Sequence, residues 1–370
     1  MAVRFWRRHP RAARVTLGLG ASCLALLLCE GLVRVFSLGP QVTPVIRESL
    51  RLSANPVLEY ELLPGAPDGS ERINSAGMRE RELARAKPPG VRRIAAIGDS
   101  ICYGYAVARH EAFPARLEAH LAAAGATDSI QVLNLGVTGY SITQAVENLA
   151  VRGLAYQPDL VVYAYSLNDP DPFSFDLMRL TNRLSAAESN FRDRALGRTG
   201  GWLIRHSRLY ALGLYTWESL TLEGQVENPA VASPRWRQLP RDERTRDYWT
   251  RLYGYPVVRE RLEAGLDRLA ALAEEYDFEV LIVIFPAMDH LADYPSQYAH
   301  EQVAAAAAAR NLPVLDLLPV FRGRVLAGED EDGLRVDHLH PNARGHDLAA
   351  AAVAEALRTT AAGSLAARSR

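Results

Sequence analysis

Apolar residues fall along this chain in three kinds of run. The first is long: Val15 to Leu38, 24 residues interrupted only by Glu30, Arg34 and small polar residues. The second kind is short and continuous: Ile94–Ile97, Ile130–Leu135, Leu160–Tyr165, Val280–Phe285 and Val314–Leu315. The third kind repeats at helical spacing. It is clearest from Val257 to Tyr276, where Leu262, Leu266, Leu269 and Leu272 line one face. Phe113–Ala124, Ile142–Arg152, the Ala-rich Gln297–Arg310 and Ala343–Leu357 also read as helices. Continuous apolar strands alternating with amphipathic helices predict a parallel sheet covered on both faces. The expected fold is therefore α/β, a three-layer doubly wound sheet.

The long run has the length of a membrane span, since about 20 apolar residues cross ~30 Å of hydrocarbon. A charge at mid-membrane costs roughly 2.5–3.5 kcal/mol. Here Glu30 and Arg34 are four apart, acid first, and can pair on one helix face. Arg34 lies toward the exit end and can snorkel to the headgroups. Residues 1–14 carry Arg4, Arg7, Arg8, Arg11 and Arg14 and no acid. By the positive-inside rule they stay in the cytoplasm, and the chain beyond is exported. The expectation is an uncleaved signal anchor over 15–38 in the cell inner membrane, with the globular part periplasmic. The competing reading is a cleaved signal peptide with an h-region over Val15–Cys29.

Residues 39–90, rich in Pro and Gly, read as a stalk and an irregular extension. A domain is expected over 91–358 and a tail over 359–370. Within the domain, residues 170–255 break the rhythm and read as a helical and loop insertion, with a helical hairpin around Leu203–Leu220. It holds Trp202, Trp217, Trp236 and Trp249, four of five tryptophans. Such a segment is either a small subsidiary core or a lid over the site.

Composition narrows the chemistry. Formal net charge is −1, which argues against nucleic acid, whose binding needs a basic surplus. Lys87 is the only lysine, so Schiff-base chemistry has one position at most. Of three cysteines, Cys23 and Cys29 lie in the long apolar run. Cys102 alone remains for the body, too few for a disulfide framework or a Cys-based zinc site.

In open α/β sheets ligands bind beyond the carboxyl ends of the strands. Gly98-Asp99-Ser100 follows the first strand, and Asn134-Leu135-Gly136-Val137-Thr138-Gly139 the second. Ser166-Leu167-Asn168-Asp169 follows the third. Asp337-His338-Leu339-His340 comes after the last strand, beyond a loop. Each motif alone is weak. In this order at strand ends they resemble the blocks of the SGNH (GDSL-type) hydrolase superfamily, over roughly residues 91–358 outside the insertion. Asn74-Ser75-Ala76-Gly77-Met78-Arg79 also resembles an element ahead of the catalytic domain in membrane-anchored bacterial members. Ser166 departs from the family, where many members have Gly, and Cys102 sits unusually close to the nucleophile.

The resemblance implies a flavodoxin-like sheet and an exported serine esterase. Its substrate would be an acyl ester, acetyl first, on a carbohydrate of the envelope or an exopolysaccharide, and no cofactor or metal is needed. An O-acyltransferase with the same residues and an idle carbohydrate-binding module are the alternatives. The residue chemistry agrees. Ser100 offers a hydroxyl at a strand-to-helix turn, His340 a base, and Asp337 a carboxylate to orient it. Ser100 N–H, Gly139 N–H and the Asn168 side chain are the expected oxyanion donors. Rival readings remain at this stage. His338 could be the base, or Asp337, His338 and His340 could bind a metal. Cys102 could be the nucleophile. Glu329–Asp332 reads as a solvated acidic loop or a weak calcium site. His290, beside Asp289, could line the cleft, as could Tyr103, Tyr105, Tyr140 and Tyr165.

Overall fold

The computed structural model describes residues 10–36, 49–123 apart from 54, 56 and 59, 129–170, 207–213 apart from 211, and 248–368. The chain divides into two compact units, Met1–Ile46 with Asp176–Glu227, and Arg47–Phe175 with Asn228–Arg370.

In the first unit, helix α1 (Pro10–Val35) contains a 22-residue stretch, Arg14–Val35, long and apolar enough to cross a membrane by length and composition. Glu30 accepts from Arg34 Nε at 2.7 Å, the pairing expected from their spacing. It also has partners the sequence did not announce: Ser207 Oγ at 2.8 Å and the N–H groups of Arg208 and Leu209 at 3.0 Å each.

The second unit is built on a five-stranded parallel sheet. Ahead of it stand two small antiparallel hairpins, β1 (Leu50–Leu52) with β2 (Tyr60–Leu62) and β3 (Pro67–Asp68) with β4 (Glu71–Arg72). Then follow β5 (Val91–Gly98), α2 (Ser100–Tyr103), α3 (Phe113–Ala123), β6 (Ser129–Asn134), α4 (Ile142–Asn148) and β7 (Leu160–Tyr165). The series ends with α5 (Pro256–Tyr276), β8 (Glu279–Ile284), α6 (Gln297–Ala308), β9 (Val314–Asp316), α7 (Leu318–Leu326) and α8 (Ala343–Arg368). The sheet order is β6-β5-β7-β8-β9 with every pairing parallel. This is the doubly wound arrangement expected, and the direction of winding reverses between β5 and β7.

Burial follows the sequence pattern. All six residues of β7 are buried, as a central strand with apolar residues on both faces requires. α3 packs on α8, while α4 packs on α5, which also meets α6. These are the two outer layers. Inside the central strand β5, Arg93 is fully buried. Its guanidinium is satisfied by the carbonyls of Ala84, Arg85, Ala86 and Tyr156 and by Gln131 Oε1. A charge is tolerated there because its donors are capped. The same bonds tie residues 84–86 to the end of the sheet opposite the loops of interest.

Several elements differ from expectation. The stretch read as a stalk sends Leu58, Tyr60, Leu62, Ile73 and Met78 into buried positions. α4 ends at Asn148, and residues 149–153 form a wider turn in place of more helix. There a side chain on Gly153 would meet Leu135 and Leu149, so that turn lies close against its neighbours. α7 was not anticipated at all. α8 runs on to Arg368, so the tail expected from 359 is helical to that point. Of the insertion, residues 248–253 are helical and Trp249 is buried in the core. Trp202, Trp217, Trp236 and most of the expected hairpin lie outside the described residues.

Candidate active site

β5 delivers the nucleophile motif. Gly98 closes the strand at φ 148°, and a Cβ there would sit 2.5 Å from the Ala164 carbonyl oxygen of β7. Only glycine lets the chain turn this close to its neighbour. Asp99 then caps the one-turn helix α2, its Oδ1 accepting the Ile101 N–H at 2.8 Å. Ser100 is the first residue of that turn and is nearly buried.

The loop after β9 and α7 brings the base to it. His340 Nε2 lies 2.9 Å from Ser100 Oγ. On the other side of the ring, Nδ1 is 2.9 Å from both carboxylate oxygens of Asp337. The consistent tautomer has Nδ1–H donating to Asp337 and Nε2 accepting from the serine. Asp337 Oδ1 also takes the backbone N–H groups of Leu339 and His340, at 2.9 Å each. Burial acts to raise the pKa of this carboxyl. The hydrogen bonds from the His340 ring and the two N–H groups, with the charge of the ring, outweigh it and hold Asp337 well below the usual carboxylate range. Asp337 is an anion under any working condition.

Asn168 and Gly139 reach the same sheet edge. Ser166 Oγ donates to Asn168 Oδ1 at 2.5 Å. With its oxygen so engaged, the Asn168 amide must turn its Nδ2 donors elsewhere, and the Asp99 carboxyl is within their reach. The residue that departs from the family pattern thus fixes which way the amide points. Gly139 is buried in the turn between β6 and α4. That turn is braced by Tyr60, whose hydroxyl donates to Thr138 O at 3.0 Å and whose own carbonyl accepts from Tyr140. It is tied to the Asn168 loop by the Ile142 N–H on Asp169 O at 2.9 Å.

The rival readings fare as follows. The imidazole bonded to Ser100 belongs to His340. His338 meets the fold through its carbonyl, which accepts the Met288 N–H at 2.8 Å. Cys102 is fully buried, and burial together with the Asp99 charge pushes its thiol well above its ordinary range, which leaves no thiolate to attack. Among the described residues no group of His, Cys, Asp and Glu is arranged to hold a metal. The Glu329–Asp332 loop is not merely solvated. Glu331 pairs with Arg335 and accepts the N–H groups of His290 and Leu291, and Glu329 pairs with Arg344.

Of the four tyrosines, Tyr103, Tyr140 and Tyr165 spend their hydroxyls inside the protein, on Asp68, the Tyr60 carbonyl and Tyr253. Tyr105 is 41% exposed and packs at a tilt of 43° against His340, with ring centroids 4.6 Å apart. It alone of the four presents an aromatic face at the site, and nothing in its spacing separated it from the others. Asp169 and His346 were not anticipated either. Asp169 is fully buried, and burial with the nearby Asp99 charge pushes its carboxyl well above the usual range. His346 is fully buried, and burial, with the charges of His340 and Arg79, lowers its pKa to about 3.

A family model for the GDSL-like lipase/acylhydrolase family matches residues 96–348. No curated protein matches the chain. Among solved structures it is similar to a two-domain esterase active on acetylated mannans, with 15% identity over 73% of this chain and a TM-score of 0.43. The chain spans about half of that protein, 49% of its length. It is also similar to a lipase/acylhydrolase from Enterococcus faecalis (17% identity, 73% of this chain, 96% of that one, TM-score 0.40). A third is an acetylxylan esterase from Geobacillus stearothermophilus (16% identity, 70% and 90%, TM-score 0.41). With the family model covering residues 96–348 and both ends of the serine–histidine–aspartate relay inside it, the chain belongs to the GDSL-like lipase/acylhydrolase family, whose chemistry is the hydrolysis of ester bonds.

Proposed function

We propose that the protein is an exported esterase that removes acyl groups, acetyl first, from a carbohydrate through an acyl-serine intermediate. The observation that carries the reading is the unbroken relay from Ser100 Oγ through His340 to Asp337. As Ser100 Oγ attacks the ester carbonyl, its proton passes to His340 Nε2. The imidazolium that forms is stabilised by Asp337, already an anion and bonded to Nδ1. The carbonyl oxygen becomes an oxyanion, for which Ser100 N–H, Gly139 N–H and Asn168 Nδ2 are the assigned donors. His340 returns the proton to the leaving alkoxide. Water then enters, gives a proton to His340 and adds to the acyl carbon; the Oγ–acyl bond breaks, His340 passes that proton to Ser100 Oγ, and the acid is released.

Two further parts of the reading rest on single observations. The sugar is supported by Tyr105, an exposed aromatic ring beside the base that suits the apolar face of a pyranose. The export is supported by α1, whose apolar side chains such as Leu17, Leu27 and Val35 are exposed. In this reading α1 is a signal anchor, the chain stays in the inner membrane, and the second unit is periplasmic.

The test is to incubate the purified protein with p-nitrophenyl acetate and quench early. Intact mass should show one added acetyl group, mapped to Ser100 and absent in Ser100→Ala. Acetyl on any other residue overturns the assignment. For location, a protein that is washed from membranes by high salt, or released as a product beginning near Leu38, removes the anchor.

A further inference from the structure

The element Asn74–Arg79 lies outside the relay, yet its last side chain ends on the C-terminal end of α2, the turn that carries Ser100. Asn74 folds the segment into a tight turn. Its Oδ1 accepts the N–H groups of Ala76 at 3.0 Å and Met78 at 2.9 Å, and its Nδ2 donates to Arg81 O at 3.1 Å. Met78 is buried in the main core, which fixes the turn to the body of the protein. Arg79 leaves this turn as a nearly buried side chain, 6% exposed. Its Nη1 donates to Tyr103 O at 2.9 Å and Gly104 O at 2.8 Å, and its Nη2 to Val107 O at 2.8 Å. Nε pairs with Asp68 at 2.7 Å, and the guanidinium lies over the Tyr103 ring at 4.5 Å. The Tyr103 hydroxyl closes the set on Asp68 at 3.0 Å.

Those three carbonyls matter because of what stands between them. α2 is a single turn, and a single turn has almost no stability of its own. Its last carbonyls have no helical partner and need a donor from outside. Gly104 ends it in the left-handed region at φ 87°, packed so closely that a Cβ would sit 2.8 Å from Arg79 Nη1. Ala106 continues at φ 61°, a strained value for a residue with a side chain. Between Gly104 and Val107 lies Tyr105, the ring that packs against His340.

We propose that Arg79, seated by the Asn74 turn and charge-balanced by Asp68, is a positioning residue. It clamps residues 103–107 so that Ser100 Oγ stays aligned with His340 and Tyr105 stays against the imidazole. The inference rests on the reading of Ser100 as nucleophile. Arginine is required because a planar fork can serve three carbonyls and a carboxylate together. An ammonium of equal charge cannot.

The test is Arg79→Lys in the full-length protein, assayed on p-nitrophenyl acetate well below the melting temperature. Active fraction is counted by labelling with a fluorophosphonate probe. Small displacements of a catalytic group cost up to about 10²-fold, so kcat per labelled site should fall roughly 10- to 100-fold with KM nearly unchanged. Asp68→Asn should act in the same direction, by a smaller factor. It carries the test alone if Arg79→Lys does not fold. A variant that melts earlier but keeps kcat per site overturns the proposal, because a purely structural arginine predicts that result. So does an Asp68→Asn enzyme with unchanged kcat. Ser100→Ala separates the two levels. If it stays active the nucleophile reading fails. If it is dead while Arg79→Lys is normal, only the clamp fails.

Discussion

Around Ser100 the chain is sealed, and around His340 it is open. Gly98, Asp99 and Ser100 are all buried, their turn pressed on β7, and the residues that follow are held by Arg79 through the carbonyls of Tyr103, Gly104 and Val107. The base loop is held largely by itself. Val336 N–H reaches His340 O at 2.8 Å, Arg335 bridges to Pro341, and Asp337 gathers three donors from Leu339 and His340 while 39% of its side chain remains exposed. The same residue type therefore behaves in opposite ways at the two ends. Asp99, fully buried, has its carboxyl pushed up by burial against the opposing pull of the Ile101 N–H and the His340 charge. Asp337, wet and ringed with donors, is pushed down. Environments that drive two carboxyls apart assign their roles. The anion belongs beside the imidazole, and the sealed side supplies shape.

The largest expected effect breaks the relay across both regions. Ser100→Ala and His340→Ala should each lower kcat/KM on p-nitrophenyl acetate by about 10⁴-fold or more. Asp337→Asn should cost roughly 10- to 100-fold less than either. Loss of activity in His338→Ala with survival of His340→Ala would reverse the assignment of the base.

Next comes the sealed side alone. Asn168→Ala should lower kcat by about 10²- to 10³-fold with little change in KM, since an oxyanion donor acts mainly in the transition state. A change confined to KM would make Asn168 a substrate contact. A finer cut is Ser166→Gly, which leaves Asn168 in place but removes the hydroxyl on its amide oxygen. One hydrogen bond is worth about 1 kcal/mol, so kcat should fall roughly fivefold. An unchanged rate would show that the amide is oriented by other contacts.

The smallest effect separates the regions by pH and is read as stability. Asp169 has a raised pKa in the fold. Its contribution is complete below the unfolded value of about 3.9 and is lost as pH rises through the folded one. Asp169→Asn should therefore raise Tm at pH 7–8 and leave it unchanged near pH 3.5. Asp337 has the opposite sign. Its contribution is present above about pH 3.9 and lost only as pH falls toward its depressed folded value. Asp337→Asn should therefore lower Tm near neutrality, leave it unchanged at pH well below 3.9, and so flatten the acid limb of the Tm curve.

How far the sequence reaches can be seen in the kinds of partner involved. The strands were legible because burial on both faces leaves continuous apolar runs, and β7 matches its expected limits, Leu160–Tyr165. Ser100, Asp337 and His340 were legible because a relay needs particular side chains at particular strand ends. Arg79 was visible as part of a motif, but its role was not. Its acceptors are the carbonyls of residues 103, 104 and 107, and a carbonyl leaves no trace in residue type. Ser166 registered as a departure for the same reason: only coordinates show its hydroxyl on Asn168. α7 was hidden by its composition. Its start is capped by Asp316, the last residue of the preceding strand, whose Oδ1 accepts the Leu318 N–H at 2.9 Å.

The base and the nucleophile stand 240 residues apart in the chain. A ribosome making this protein emits Ser100 early and His340 near the end. Until the last strand and α8 have closed the sheet, the serine has no partner to take its proton. With Ser100 as the proposed nucleophile, a nascent chain is therefore chemically silent. Activity appears only with the last part of the fold, and hydrolysis of a small ester becomes a clock for when folding finishes.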